Sequence, residues 1–153
     1  MFKTDTILIV EDDPNDLFFV RRAWERSKSS IVLREVRDGM EAMDYLVGEG
    51  FYADRAKYPM PDLILMDLKM PRKSGLEVLE WMKSTENICR IPVVIVTSSE
   101  IQKDIDRAYE LGVNAYLIKP VDFEELFGLY NLLSDFFIRR ACKPTVKESG
   151  VPA

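Results

Sequence analysis

Glu11, Asp12 and Asp13 stand in a row directly after an apolar run, Thr6 to Val10. Asp67 ends a second run, Leu63 to Met66; Thr97, Ser98 and Ser99 end another, and Lys119 with Pro120 a fourth. Carboxylates brought close together repel unless one takes up a proton or a cation joins them. A small divalent cation relieves that repulsion through oxygen ligands, keeps several waters and leaves room for a phosphate oxygen. A threonine hydroxyl and a lysine ammonium opposite such a cation would complete an anion site. The residue types therefore fit a metal-assisted phosphoryl site with an aspartate, Asp67, in the middle.

These residues come together only if the runs before them are parallel strands. Five short runs rich in Ile, Leu and Val occur at 6–10, 31–36, 62–66, 92–96 and 115–118. Most are continuous rather than alternating, which suits strands covered on both faces; "IVLREV" at 31–36 is more polar and suits an edge. Helical patterns lie between and after them. Asp13 caps the first, with Pro14 at its first position, to about Lys28. The others cover 38–47, 75–84, 100–112 and 122–140, with Gly48, Gly50 and Gly112 as stops. A (βα)5 order predicts a doubly wound α/β domain with a five-stranded parallel sheet. In such sheets ligands bind beyond the carboxyl ends of the strands, where all the residues above fall. Residues 48–61 read as a surface loop and 141–153 as a loose tail after a single domain, 1–140.

The chain has 153 residues and a net charge of −5, with 47% hydrophobic and 31% charged residues, an ordinary globular mix. The acidic balance argues against nucleic-acid binding. The N-terminal apolar run is too short for a signal peptide or membrane span, so we expect a soluble, cytoplasmic protein without membrane contact. Two cysteines without a CxxC motif read as reduced thiols. Histidine is absent, which removes Ser-His-Asp and Cys-His nucleophiles and histidine-ligated metals. The chain also cannot itself carry a phosphohistidine.

The segments "ILIVEDDP", "VRDGMEAM", "PDLILMDLKMPRKSGLEVL", "IPVVIVTSS" and "LGVNAYLIKPVDFEEL" resemble, in this order and spacing, the receiver domain of two-component response regulators. The likeness spans roughly residues 5–138. The long loop before the third strand and the "NAYLIKPVDF" ending are most similar to single-domain receivers that serve phytochrome-type histidine kinases. The resemblance implies the strand order 2-1-3-4-5 and a switch rather than an enzyme acting on outside substrates, one that promotes its own phosphotransfer and slow dephosphorylation. It implies that Asp67 is the phosphoacceptor, supplied by a sensor histidine kinase. It implies Mg2+, held by Asp12 directly, by Glu11 through a water, by Asp67 and by the backbone carbonyl of Lys69. Thr97 and Lys119 would hold the phosphoryl oxygens, Tyr116 would be the aromatic that follows Thr97, and the Lys119–Pro120 bond would be cis. Lys69 departs from the smaller polar residue common in the family, while Ser98 keeps access to the phosphate open.

Other readings compete at single positions. Asp13 is better read as a helix cap than as a ligand, and Tyr116 alone would be core. An aspartate-nucleophile phosphatase would need a second Asp where Lys69 stands; an adaptor that works without phosphorylation would have lost an acid, Thr97 or Lys119. A flavin-binding relative would need a Ser/Thr-rich turn after strand one, and no nucleotide-binding P-loop is present. In the last helix, Phe123, Leu126, Phe127, Tyr130, Leu133, Phe137 and Ile138 form the stripe expected on the sheet, and Leu129, Leu132 and Phe136 a second one. Two explanations for the second stripe stand: the tail covers it, or it joins two copies in a homodimer through helix 4, strand 5 and helix 5.

Overall fold

The structure, a computed structural model, describes residues 4–148. Five strands, β1 (Thr6–Val10), β2 (Val32–Val36), β3 (Leu63–Met66), β4 (Val93–Thr97) and β5 (Ala115–Ile118), form one parallel sheet in the order β2-β1-β3-β4-β5. The helices are α1 (Pro14–Ser27), α2 (Gly39–Val47), α3 (Gly75–Lys83), α4 (Gln102–Glu110) and α5 (Phe123–Ser134), which runs on as a wider turn over Asp135–Arg140. This is the expected (βα)5 architecture, with the 31–36 run on an edge.

The continuous apolar strands are covered on both faces. Ile7, Ile9, Leu63, Leu65, Val94 and Val96 pack against α1 and α5. Their alternates Leu8, Val10, Ile64, Met66 and Ile95 pack against α2, α3 and α4. A one-residue slip would exchange the two sets between faces, so the register is strongly constrained. The helix ends follow their sequence signals. Asp13, Asp38, Ser74 and Asp122 accept hydrogen bonds from first-turn amides of α1, α2, α3 and α5.

Two stretches are more structured than the sequence suggested. Within 48–61, the Arg55 guanidinium donates to the carbonyls of Tyr45, Leu46 and Tyr58 at 2.7–3.1 Å, closing the end of α2. The rings of Tyr45, Tyr52 and Tyr58 pack together around it, 5.0–6.0 Å apart. The segment is a plug under one core, because three aromatic rings gain more from mutual burial than from solvent.

The tail is not loose where it is described. Lys143 pairs with Asp5, Arg90 donates to the Thr145 carbonyl, and Asn87 and Lys147 exchange two hydrogen bonds of 2.7 Å. Glu148 accepts from the Met60 amide, and Val146 packs on the core. Residues 149–153 lie outside the described part. Residues 143–148 thus cross the end of the sheet opposite the Asp67 edge and strap loops far apart in sequence. Truncation after Cys142 should lower stability by about 2 kcal/mol, or roughly 4–8 °C in Tm for a domain of this size, read by thermal unfolding. A truncated chain that melts with the full one would make the strap energetically silent.

The strap does not reach the second stripe of α5. Leu132 and Phe136 are 65% and 58% exposed, while Leu129 is half-buried against the core. The covering tail is therefore ruled out for the described residues.

Candidate functional site

Three residues of the site are held by the sheet's own ladder carried one residue past the strands. Glu11 donates its amide to the Val36 carbonyl, Asp67 to Val10 and Lys119 to Thr97, at 3.1, 3.0 and 2.8 Å. Their backbones are as fixed as the strands, and their side chains meet at one edge. Gly75 adds a close approach: a Cβ there would lie 2.5 Å from the Asp67 carbonyl oxygen, so only glycine lets α3 begin against the turn that follows Asp67.

The Asp67 carboxylate is buried and fully engaged. Its Oδ1 accepts from the Thr97 hydroxyl and the Leu68 amide, both at 2.6 Å, and from the Lys69 amide at 3.3 Å. Its Oδ2 accepts from Lys119 Nζ at 2.8 Å. The same ammonium donates to Glu11 Oε2 at 2.7 Å and to Asp16 Oδ2 at 2.6 Å. The three carboxylates place oxygen atoms within 4.8 Å of one another, a packing that a shared cation makes tolerable. Lys119 Nζ is that cation.

Burial pushes the Glu11 carboxyl up to about 7 despite the pull of Lys119. Burial also acts to raise Asp67, but the hydrogen bonds from Lys119 and Thr97 outweigh it and hold the carboxyl below its ordinary range. For Lys119, burial opposes the charge and three carboxylates more than compensate, so the ammonium is held well above its ordinary value. Asp67 is thus an ionised carboxylate beside a permanent cation at neutral pH.

Asp12 stands apart from this knot. It is exposed, on the wall of an open cleft of ≈ 770 Å3 that also includes Asp13, Asp67, Thr97, Ser98 and Lys119. Asp13 caps α1, as read from the sequence. Lys69 turns its side chain out, 67% exposed, to Asp104 at 3.5 Å, and meets Asp67 through its backbone amide. Tyr116 touches the site at one remove. Its hydroxyl donates to the Ser99 carbonyl at 2.8 Å, and the Ser99 amide reaches Thr97 Oγ1 at 3.4 Å.

Two features differ from expectation. The Lys119–Pro120 bond is trans; trans is the lower-energy isomer of an X–Pro bond, and Lys119 reaches all three carboxylates from it. Asp16 was not foreseen. An acid in the first turn of a helix usually serves the helix dipole, so its type and place gave no reason to connect it with a lysine 103 residues later.

The chain is similar in sequence and fold to known proteins. The profile of the response regulator receiver domain family fits residues 7–131. The response regulator Rcp1 of Synechocystis is 37% identical over 138 residues, 90% of this chain and 92% of its own length. The crystal structure of the phosphorylated cyanobacterial phytochrome response regulator RcpA superposes with a TM-score of 0.86 at 38% identity, covering 94% of this chain and all of that one. The Mn(2+)-bound form of Rcp1 superposes at 0.82 with 36% identity, over 92% of this chain and 99% of that one. The chain belongs to the response regulator receiver domain family, the proteins of two-component signalling. Among the described residues no helix is long and apolar enough to cross a membrane.

Proposed function

We propose that this receiver accepts a phosphoryl group on Asp67 from a phosphohistidine of a sensor histidine kinase and switches its partner binding in response. The observation that carries the reading is the Asp67 carboxylate, ionised and in contact with both Thr97 and Lys119 beside an open cleft. In the transfer, an Asp67 oxygen forms a bond to phosphorus as the P–N bond breaks and its electron pair leaves on the imidazole nitrogen. Lys119 holds positive charge against the phosphoryl oxygens, and Thr97 donates its hydroxyl to one of them. Ser98 is small and exposed, which keeps the approach clear. The likeness to phytochrome response regulators supports a phytochrome-type kinase as the donor. The test is a phosphodonor experiment: acetyl phosphate with Mg2+ adds one phosphoryl group to the intact protein, and EDTA prevents it.

The donor set fits a hard divalent cation. Glu11, Asp12 and Asp67 offer carboxylate oxygens on one cleft, and the sequence provides no nitrogen ligand from histidine. Glu11, Asp12, Asp67 and the Lys69 carbonyl would hold Mg2+, which when bound offsets the negative charge gathered between Asp67 and the incoming phosphoryl group. Because Mg2+ binds only the folded chain, it should stabilise it by ~1.4 kcal/mol at about ten times its Kd. Asp12→Ala should lose most of that shift, whereas Asp13→Ala should keep it while losing roughly 1 kcal/mol of helix capping. Thermal melts with and without Mg2+ decide between them; an indispensable Asp13 and a dispensable Asp12 would reject the ligand assignment.

The exposed α5 residues support a homodimer through α4, β5 and α5. Tyr109 of α4 and Ile118 of β5 are exposed as well, at 51% and 40%, so each of the three elements presents apolar surface. A second copy would bury these apolar side chains. Light scattering at high micromolar concentration should give a dimer mass for the wild type and a monomer mass for Leu132→Asp and Phe136→Asp. A monomeric wild type, phosphorylated or not, would sink this interface.

A further inference from the structure

We propose that Asp16 is a positioning residue for Lys119, holding the ammonium back from the phosphoryl group and so weakening the phosphorylated state. This rests on the reading of Asp67 as phosphoacceptor. Asp16 sits in the third position of α1, where an acid commonly reaches back to the amide of the capping residue. Here Glu11 Oε1 takes the Asp13 amide at 3.1 Å instead. The Asp16 carboxylate is thereby turned toward Lys119, and its 2.6 Å contact is the shortest of the three on Nζ.

An ammonium has three N–H donors, and Glu11, Asp16 and Asp67 account for all three. When Asp67 carries a phosphoryl group, the donor that now serves its Oδ2 must turn to a phosphoryl oxygen. Asp16 acts against that turn in two ways. It anchors Nζ toward α1, and it adds a negative charge close to a phosphoryl group that is itself dianionic. Glu11 also holds the lysine, but it is among the groups a divalent cation would neutralise. Asp16 is 30% exposed, so water screens part of its charge without removing it. Its position on α1 also means that any displacement of the start of α1 moves a group bonded to Lys119.

Beryllofluoride, which bonds to a carboxylate oxygen and imitates the phosphoryl group, tests this on the full chain with Mg2+ present, read by fluorine NMR. Asp16→Asn should bind it about five to ten times more tightly than wild type, the size expected for one partly screened charge. Asp16→Glu, which restores the charge, should return the affinity to within about twofold of wild type; a role in helix structure alone would instead change the melting temperature of Asp16→Asn and leave its beryllofluoride affinity unmoved. Equal or weaker binding by Asp16→Asn, in a wild type that does bind, overturns this inference and leaves the phosphoacceptor reading intact. Loss of the Mg2+ stabilisation in Asp16→Asn would make Asp16 a metal ligand and overturn it as well. A wild type that ignores beryllofluoride as completely as Asp67→Asn does overturns both.

Discussion

Asp67→Asn takes up no phosphoryl group from acetyl phosphate and Mg2+ under conditions that label the wild type. The expected effect is total because no other carboxylate of the site has the same combination of properties. Glu11 is buried, which raises its carboxyl, and its two oxygens are taken by Lys119 and by the Asp13 amide. Asp16 is engaged by Lys119, and the Thr97 hydroxyl goes to Asp67 at 2.6 Å. Asp12 and Asp13 are exposed, and Asp13 is occupied in capping α1. Among the described residues only Asp67 is at once ionised, bonded to Lys119 and bonded to Thr97. Asparagine keeps the size of the side chain and an oxygen for Thr97, so the variant should fold and remain a fair control. Intact-mass measurement reads the result directly. A variant labelled as fully as wild type would move the phosphoacceptor elsewhere and remove the basis of the proposed switch.

Much of this was legible in the sequence because the governing signals are local. Continuous apolar runs such as "LILM" and "VVIVT" identify parallel strands without knowledge of their partners, and Asp13-Pro14 marks a helix start by its own chemistry. Once the strands are parallel, the residues after them must share an edge, which is why Glu11, Asp67, Thr97 and Lys119 were readable as a group. What escaped is set by distant contacts. Asp16 gains its role because Glu11 occupies the Asp13 amide and because Lys119 arrives from the far side of the sheet. The strap at 143–148 has no amphipathic period, and its hold depends on Asn87, Arg90 and Asp5 at the opposite end of the sheet. Arg55 reads as a surface cation until the end of α2 is placed beneath it. The apolar stripes of α5 were visible, whereas the path of the tail, which decides whether the second is covered, was not.

Lys119→Met should destabilise the metal-free protein by about 3–5 kcal/mol at neutral pH, the range for removing one member of a buried ion pair. Methionine replaces much of the aliphatic stem, so the loss reports the charge more than the packing. Without the ammonium, Glu11 and Asp67, with side chains 6% and 10% exposed, face each other and Asp16 uncompensated. The folded pKa of Asp67 then rises above its unfolded value, and that of Glu11, already raised by burial in the wild type, rises further. For an acid this sign means that the penalty is absent below the unfolded pKa, near 4, and grows as pH rises through the folded pKa. The deficit of Lys119→Met relative to wild type should therefore shrink toward about pH 5 and be full by about pH 8. In the wild type the intact knot leaves Asp67 with the opposite linkage: its depressed carboxyl stabilises the fold above its unfolded pKa, and that contribution fades as pH falls through the folded value. Mg2+ provides the second check. In the variant it is the only cation able to relieve the carboxylates, so it should raise the melting temperature more in Lys119→Met than in wild type. Denaturant unfolding at the two pH values, with EDTA and with Mg2+, measures all of this. A loss below about 1 kcal/mol, the size of an exposed pair, would mean that water and not Lys119 neutralises these acids.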